Sequence, residues 1–221
     1  MLLKNSITIF LFTLILFAGC KKEDEESPND FTKSSGTFAD ERDGNQYKWV
    51  KIGDQIWMAE NLAFNIGEGS WNYEHNNTYE TTYGRLYTWE AAKQACPTGW
   101  HLPSDAEWEQ LAEFISLDNG GIIKNDGSWP FIGTLLKATN GWEDSGNGTD
   151  NYKFNALPSG SFSVFQNEFF GLGDRCLWWS STTSEHYATE AWLRSIHSWE
   201  DLFMRDADTK GIAMSVRCIK D

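Results

Sequence analysis

Basic side chains are scarce. Eighteen Lys and Arg stand against 32 Asp and Glu, for a formal charge of −14 over 221 residues. That balance argues against a nucleic-acid binder, whose phosphate contacts need a Lys/Arg surface. It also argues against electrostatic docking on anionic lipid. Charged residues are only 23 % of the chain, so most of it is not an acidic disordered tail. Catalytic signatures are missing: there is no G-x-S-x-G, no Walker loop, no H-E-x-x-H and no C-x-x-C. The four histidines, at 75, 101, 186 and 197, are scattered. No apolar run reaches the roughly twenty residues of a spanning helix. What the chain has in quantity is aromatic: 12 Trp, 14 Phe and 7 Tyr, or 15 %. That is ample for one sizeable core, and the length suits one domain or two small ones.

The N-terminus reads as an address. Lys4 precedes an apolar run from Ile7 to Ala18, then Gly19 and Cys20. A positive start, a short apolar stretch and small residues before a cut describe a secretory signal peptide. The Ala18-Gly19-Cys20 junction resembles the bacterial lipobox, although Phe17 is bulkier than the Leu usual there. The resemblance implies that residues 1–19 are removed and that Cys20 carries a diacylglycerol and a further palmitate-type chain. Two or more chains give firm anchoring. The alternative is an ordinary cleaved signal with a free Cys. Removal takes one basic residue and leaves 17 against 32 acidic. Lys21 to Asp30 is charged, contains Pro28 and has no apolar period, as expected of a solvated tether. Lys rather than Asp at 21 resembles lipoproteins sent to the outer membrane. The Lys-then-acidic run resembles the surface-export signal of Bacteroidota lipoproteins. We therefore expect a lipid-anchored outer-membrane protein facing the cell exterior, the alternative being the periplasmic face. The linker is expected over 20–42 and the domain over 43–221.

Within the domain, Tyr47–Ile52 and Gln55–Met58 flank Gly53-Asp54 and predict a hairpin with a primed turn. Residues 65–84, rich in Asn, Gly, Thr and Tyr, predict a long loop or irregular ribbon. Trp89, Ala92 and Cys96 share a helix face after Thr88, and Pro97 stops that helix. Ser104-Asp105-Ala106-Glu107 is a capping box before the stripe Trp108, Leu111, Ala112, Ile115. A third short helix is expected from Ile132, ending by Asn140-Gly141. Strands are expected around 154–156, 178–181, 191–196, 202–205 and 213–219. Helices early and strands late make an α+β fold with a short-stranded antiparallel sheet. Besides Cys20 three cysteines remain, at 96, 176 and 218. An exported compartment favours bridging, and three thiols allow one bridge at most. Cys176, beside Leu177 and Trp178, reads as a small buried apolar residue rather than a reactive thiol.

Several segments match a family in order and spacing: Ile52-Gly-Asp-Gln-Ile-Trp-Met-Ala-Glu-Asn-Leu62, Gly84-Arg-Leu-Tyr87, Ala95-Cys-Pro-Thr-Gly-Trp-His-Leu-Pro-Ser-Asp-Ala-Glu-Trp108, Ala156-Leu-Pro-Ser-Gly160, Trp179-Ser-Ser181 and Ser215-Val-Arg-Cys218. They resemble the Fibrobacter succinogenes major paralogous domain. That family is similar to the C-type lectin-like superfamily, which also holds the formylglycine-generating, sulfatase-modifying enzymes. The resemblance implies a C-type lectin-like fold. It also implies a bridge between Cys96 and Cys218, which on the chain-entropy model stabilises by about 5 kcal/mol. The enzyme relatives need paired thiolates that hold copper. With Cys96 and Cys218 bridged and Cys176 alone, that activity is not expected here, and the chain is read as a non-enzyme.

Recognition of a glycan or a surface protein is then the expected role, and a non-ligating structural component of the envelope is the alternative. No cofactor is expected. Calcium is the one ion considered, because Glu143, Asp144, Asn147, Asp150 and Asn151 could offer oxygen ligands. Their spacing fits no EF-hand, so a solvated loop is the preferred reading. Metal-free contact through aromatics is the other route. Trp57, Trp89, Trp100, Trp108 and Trp179 fall in family motifs and are assigned to the core. Trp71, Tyr73, Tyr79, Tyr83, Trp142 and Trp199 lie in polar segments and are the candidate contact residues. His101 and Glu107 are assigned to packing, hydrogen bonding and capping, and Glu109 to solvent.

Overall fold

In the hairpin, the alternation of Tyr47 and Trp49 with Lys48 and Lys51 sends the aromatics inward and the lysines outward. β2 (Gln46–Ile52) and β3 (Gln55–Met58) pair antiparallel, with Ile52 opposite Gln55. Gly53 takes φ 60° in the turn between them, a conformation open to glycine without Cβ strain. The computed structural model describes residues 34–221, so the expected signal peptide, Cys20 and the first part of the tether lie outside the described residues.

The domain starts earlier than expected. β1 (Ser35–Ala39) pairs along β2, with Phe38 opposite Tyr47. Phe38 stacks on Trp100 at 4.4 Å between centroids. Gly36 lets the Trp49 ring lie 2.8 Å from where a Cβ would stand. Residues 35–39 thus belong to the sheet and not to a linker. A Ser-Ser-Gly start hid a strand whose partner supplies the apolar bulk.

β6 (Trp100–His101) and β13 (Ile219–Lys220) complete the first sheet, in the order β1-β2-β3-β13-β6. The second sheet holds β4 (Ser70–Trp71), β5 (Leu86–Tyr87), β7 (Ser159–Ser163), β9 (Arg175–Thr183), β10 (Glu190–His197), β11 (Met204–Thr209) and β12 (Ile212–Ser215). Its order is β11-β10-β9-β7-β12-β5-β4, with β8 (Glu168–Leu172) on β7. Most pairings are antiparallel; β9 meets β7 and β12 in short parallel bridges. The helices are α1 (Asn77–Tyr83), α2 (Trp89–Ala95), α3 (Asp105–Asp118) and α4 (Ile132–Leu136). This is a mixed fold of few helices and antiparallel sheets, compatible with α+β. Among the described residues no helix is long and apolar enough to cross a membrane.

α3 follows its sequence signals. Ser104 Oγ accepts from the Glu107 amide at 3.2 Å, and the Ser104 amide donates to Glu107 Oε2 at 2.7 Å. Trp108, Leu111, Ala112 and Ile115 are fully buried. Elsewhere the expectations need correction. Residues 65–84 hold β4, a 3-10 turn (Tyr73–His75) and α1. α1 buries no residue, so it lacks the apolar stripe that would announce it; Asn76 starts it by accepting from the Thr78 amide at 2.9 Å. α4 stops at Leu136. Residues 154–156 form no strand, only a bridge from Ala156 to Lys137. The β7–β8 hairpin was unforeseen, its first strand reading Ser-Gly-Ser-Phe-Ser. The strand expected at 202–205 runs from 204 to 209.

The last expected strand is split, because Arg217 turns inward between β12 and β13. Its guanidinium donates to Asn61 Oδ1 from Nε at 3.0 Å and from Nη2 at 2.7 Å. It also donates to the carbonyls of Met58 at 3.3 Å and Phe154 at 2.5 Å. Arg217 is 1 % exposed and makes no ion pair within contact distance among the described residues, so burial lowers its pKa to about 10. Next to it, Cys96 and Cys218 form a disulfide with Cα atoms 5.9 Å apart, tying the end of α2 to the start of β13. Cys176 is free and fully buried. Burial raises its thiol pKa, and Ser159 Oγ lies 3.2 Å away. The core gathers around Trp108, whose ring meets Trp57 at 4.5 Å and Trp178 at 5.9 Å.

Candidate ligand-binding surface

Six aromatics were candidates for contact, and the structure separates them. Trp142 is buried, 5 % exposed, and its indole N–H donates to the Ala156 carbonyl at 2.9 Å. Tyr73 is also buried, against Tyr79 at 5.8 Å and Phe169 at 4.9 Å. These two are core residues, not surface contacts. Trp71 is half-buried on Phe162 at 4.9 Å. Tyr79 and Tyr83 are half-buried against one another at 6.1 Å. Trp199 alone of the twelve tryptophans stands out, with 56 % of its surface exposed.

Trp199 sits in the turn after β10. Ser198 fixes the turn, its amide donating to the Asp174 carbonyl at 2.8 Å and its hydroxyl to Asp174 Oδ1 at 3.0 Å. The imidazole of His197 packs on the indole at 4.5 Å, and the Arg175 guanidinium lies 5.7 Å from it. His197 Nδ1 stands 3.1 Å from Glu200 Oε1. Burial nevertheless lowers the His197 pKa against the pull of Glu200, so the ring is neutral at pH 7.

Two other segments close on this turn. Gly146 faces Ser198, and a Cβ there would lie 2.4 Å from the Ser198 carbonyl oxygen. The 142–147 loop is folded on itself, the Trp142 amide donating to Asn147 Oδ1 at 3.0 Å. From α4 and its end, the Gly133 amide donates to the Asp201 carbonyl at 2.9 Å and Lys137 Nζ to the Glu200 carbonyl at 2.7 Å. The result is a shallow trough of about 500 Å³ beside the indole, walled by Thr134, Ser145, Asn147, Glu200 and Asp201 over Lys137. Lys137 is 3 % exposed, and burial lowers its pKa although Asp201 and Glu200 oppose the shift. A half-exposed indole beside amide, hydroxyl and carboxylate groups suits a flat polyhydroxylated ligand.

The acidic residues weighed for calcium do not converge. Glu143 and Asp144 are exposed, whereas Asp150 accepts from the Asn155 amide at 2.7 Å. Burial raises the Asp150 pKa. Among the described residues no group of three or more His, Cys, Asp or Glu could hold a metal ion. Two role assignments gain detail. His101 bridges Glu107 Oε1 at 2.8 Å and Asp221 Oδ1 at 2.7 Å. Glu109, expected in solvent, pairs with Lys124 at 2.5 Å and with Arg194 at 3.5 Å.

A second concavity of about 310 Å³ has Arg217 in its floor and Asn45, Gln46, Asn155, Thr81 and Thr82 in its walls. Its carboxylates are already paired, Glu60 with Lys48 and Glu80 with Arg85.

The sequence profile of the Fibrobacter succinogenes major domain matches residues 50–220. The chain belongs to this family. The match runs from the middle of β2 into β13, so the family segment includes the disulfide, Arg217 and the whole Trp199 trough. β1 precedes it. No curated protein and no solved structure gives a significant match.

Of the trough residues, sequence reasoning singled out Trp199 and Asn147, the latter for a different role. Thr134, Lys137 and Ser145 carried no local signal. The clue for the acidic pair was the run His197-Ser198-Trp199-Glu200-Asp201, an indole set among polar residues with no apolar partner in sequence.

Proposed function

We propose that this chain is a non-enzymatic carbohydrate-recognition module with a C-type lectin-like fold, anchored in the outer membrane through lipid on Cys20 and facing the cell exterior. The observation that carries the recognition reading is the 56 % exposure of Trp199 beside a polar trough, while the other tryptophans are buried or half-buried. An exposed indole held in place by its neighbours presents stacking area at little entropic cost. The thiols favour binding over the copper chemistry of the enzyme relatives: two are bonded to one another and the third is sealed in the core. The anchor rests on the Ala18-Gly19-Cys20 junction.

A glycan array probed with the full chain in detergent, with calcium and with chelator, tests the reading. Saturable binding is expected in both conditions. Trp199→Ala should weaken it by about 2 kcal/mol or more, some thirtyfold in Kd. Binding that ignores Trp199→Ala, or silence from a folded and bridged sample, would overturn it. Labelled palmitate should enter the chain and be lost in Cys20→Ser; a wild-type chain that takes up no label would sink the anchor.

A further inference from the structure

We infer that the Trp199 trough selects a pyranoside bearing a free ammonium group, an amino sugar, over its neutral, N-acetylated and acidic counterparts. This rests on the carbohydrate reading above and specifies its ligand class.

The charge inventory of the trough carries the inference. Its lining holds two carboxylates, Glu200 and Asp201, and one cation, Lys137. Lys137 cannot greet a ligand, because it is almost fully buried and its ammonium donates to the Glu200 backbone carbonyl. Arg175, whose guanidinium lies 5.7 Å from the indole, is tied to Asp174 at 3.1 Å, so this pair adds no net charge. Neither trough carboxylate has a Lys or Arg within ion-pair distance among the described residues; Glu200 has only the neutral His197. A ligand on the indole therefore meets acceptors that carry net negative charge. An ammonium satisfies them twice, by charge-assisted hydrogen bonds to carboxylate and by attraction to the indole face. N-acetylation removes that charge, and a uronate would bring like charge to like. The chain's charge of −14 biases encounter in the same direction.

The test is calorimetry on the full chain in detergent with four tetrasaccharides: glucosamine, N-acetylglucosamine, glucose and galacturonate. At about 20 mM salt the glucosamine tetramer should bind at least tenfold more tightly than the two neutral ones, and the galacturonate tetramer most weakly. The margin should shrink at about 0.5 M salt, where screening is strong. The double variant Glu200→Gln, Asp201→Asn should bind the glucosamine and neutral tetramers alike, and Trp199→Ala should weaken binding of every tetramer about thirtyfold or more. Circular dichroism checks that each variant is folded. If a neutral or acidic tetramer binds as well as glucosamine and still needs Trp199, the inference falls while the recognition reading stands. Glucosamine binding that Trp199→Ala leaves unchanged is nonspecific attraction and also overturns the inference. If no tetramer binds, both readings fall.

Discussion

Two polar segments of this molecule carry aromatic residues, and they use them in opposite ways. In residues 70–83, Trp71 and Tyr73 turn onto Phe162 and Phe169 of the β7–β8 hairpin. In residues 197–201, the ring partners of Trp199 among the described residues are His197 and Arg175. Both segments read alike, as polar loops with rings. The difference lies in the partner element. A hairpin that offers phenylalanines removes the first set of rings from water, and each buried ring is worth a few kcal/mol. A partner made of imidazole and guanidinium fixes the second ring and leaves its surface open. Exposure of an aromatic is thus decided by what the fold brings to it.

The contrast can be broken most forcefully from the buried side. Phe162 is 2 % exposed and meets both Trp71 and Phe169. Phe162→Ala should destabilise the chain by about 3–5 kcal/mol in urea unfolding, because it removes a buried ring and leaves a cavity. Ligand affinity of the remaining folded fraction should not change. An unaltered midpoint would mean that the 70–83 aromatics do not depend on the hairpin. Trp199→Ala should do the reverse, lowering affinity as described while shifting stability by no more than about 0.5 kcal/mol. A large loss of stability would show that the exposed ring is structural after all.

The smallest effects lie in the two histidines, which sharpen the same division. His101 gains Asp221 and Glu107; burial works against its charge, but the hydrogen bonds outweigh it and its pKa is raised. A raised pKa contributes stability that is fully present below the unfolded value, near 6.5, and is lost as pH rises through the folded value. His101→Gln should therefore be more damaging at pH 5 than at pH 9. His197 has the opposite sign, since burial lowers its pKa. Its contribution is present above about pH 6.5 and is lost as pH falls through the folded value. Stability profiles of the two single variants that bend in the same direction would refute this assignment.

How much of this was legible depended on whether a segment carried its own partner. α3 did, since its capping box and the Trp108–Ile115 stripe lie within a dozen residues, and it formed as expected. Trp57, Trp89, Trp100, Trp108 and Trp179, set in the family motifs, are all buried. β1 was missed because its apolar contacts, Trp49 and Trp100, come from other strands. α1 was missed because it has no buried face, and β7 because small residues fill a strand whose five positions are all buried. At the trough, one indole was readable. Its walls come from α4, the 142–147 loop and the turn after β10, and no spacing in the chain connects them.

Arg217 has a consequence for how this surface can vary. Its hydrogen bond to the Phe154 carbonyl pins one end of the stretch that begins at Trp142, while the bond from the Trp142 indole to the Ala156 carbonyl pins the other. The intervening residues, which include the Ser145–Asn147 wall of the trough, are bonded along their length as well, the Glu143 amide donating to the Gly173 carbonyl at 2.8 Å and the Asn151 amide to the Leu135 carbonyl at 3.0 Å. Variation in this wall is therefore confined to side chains that make none of these bonds, and a single deeply placed arginine helps to set that limit.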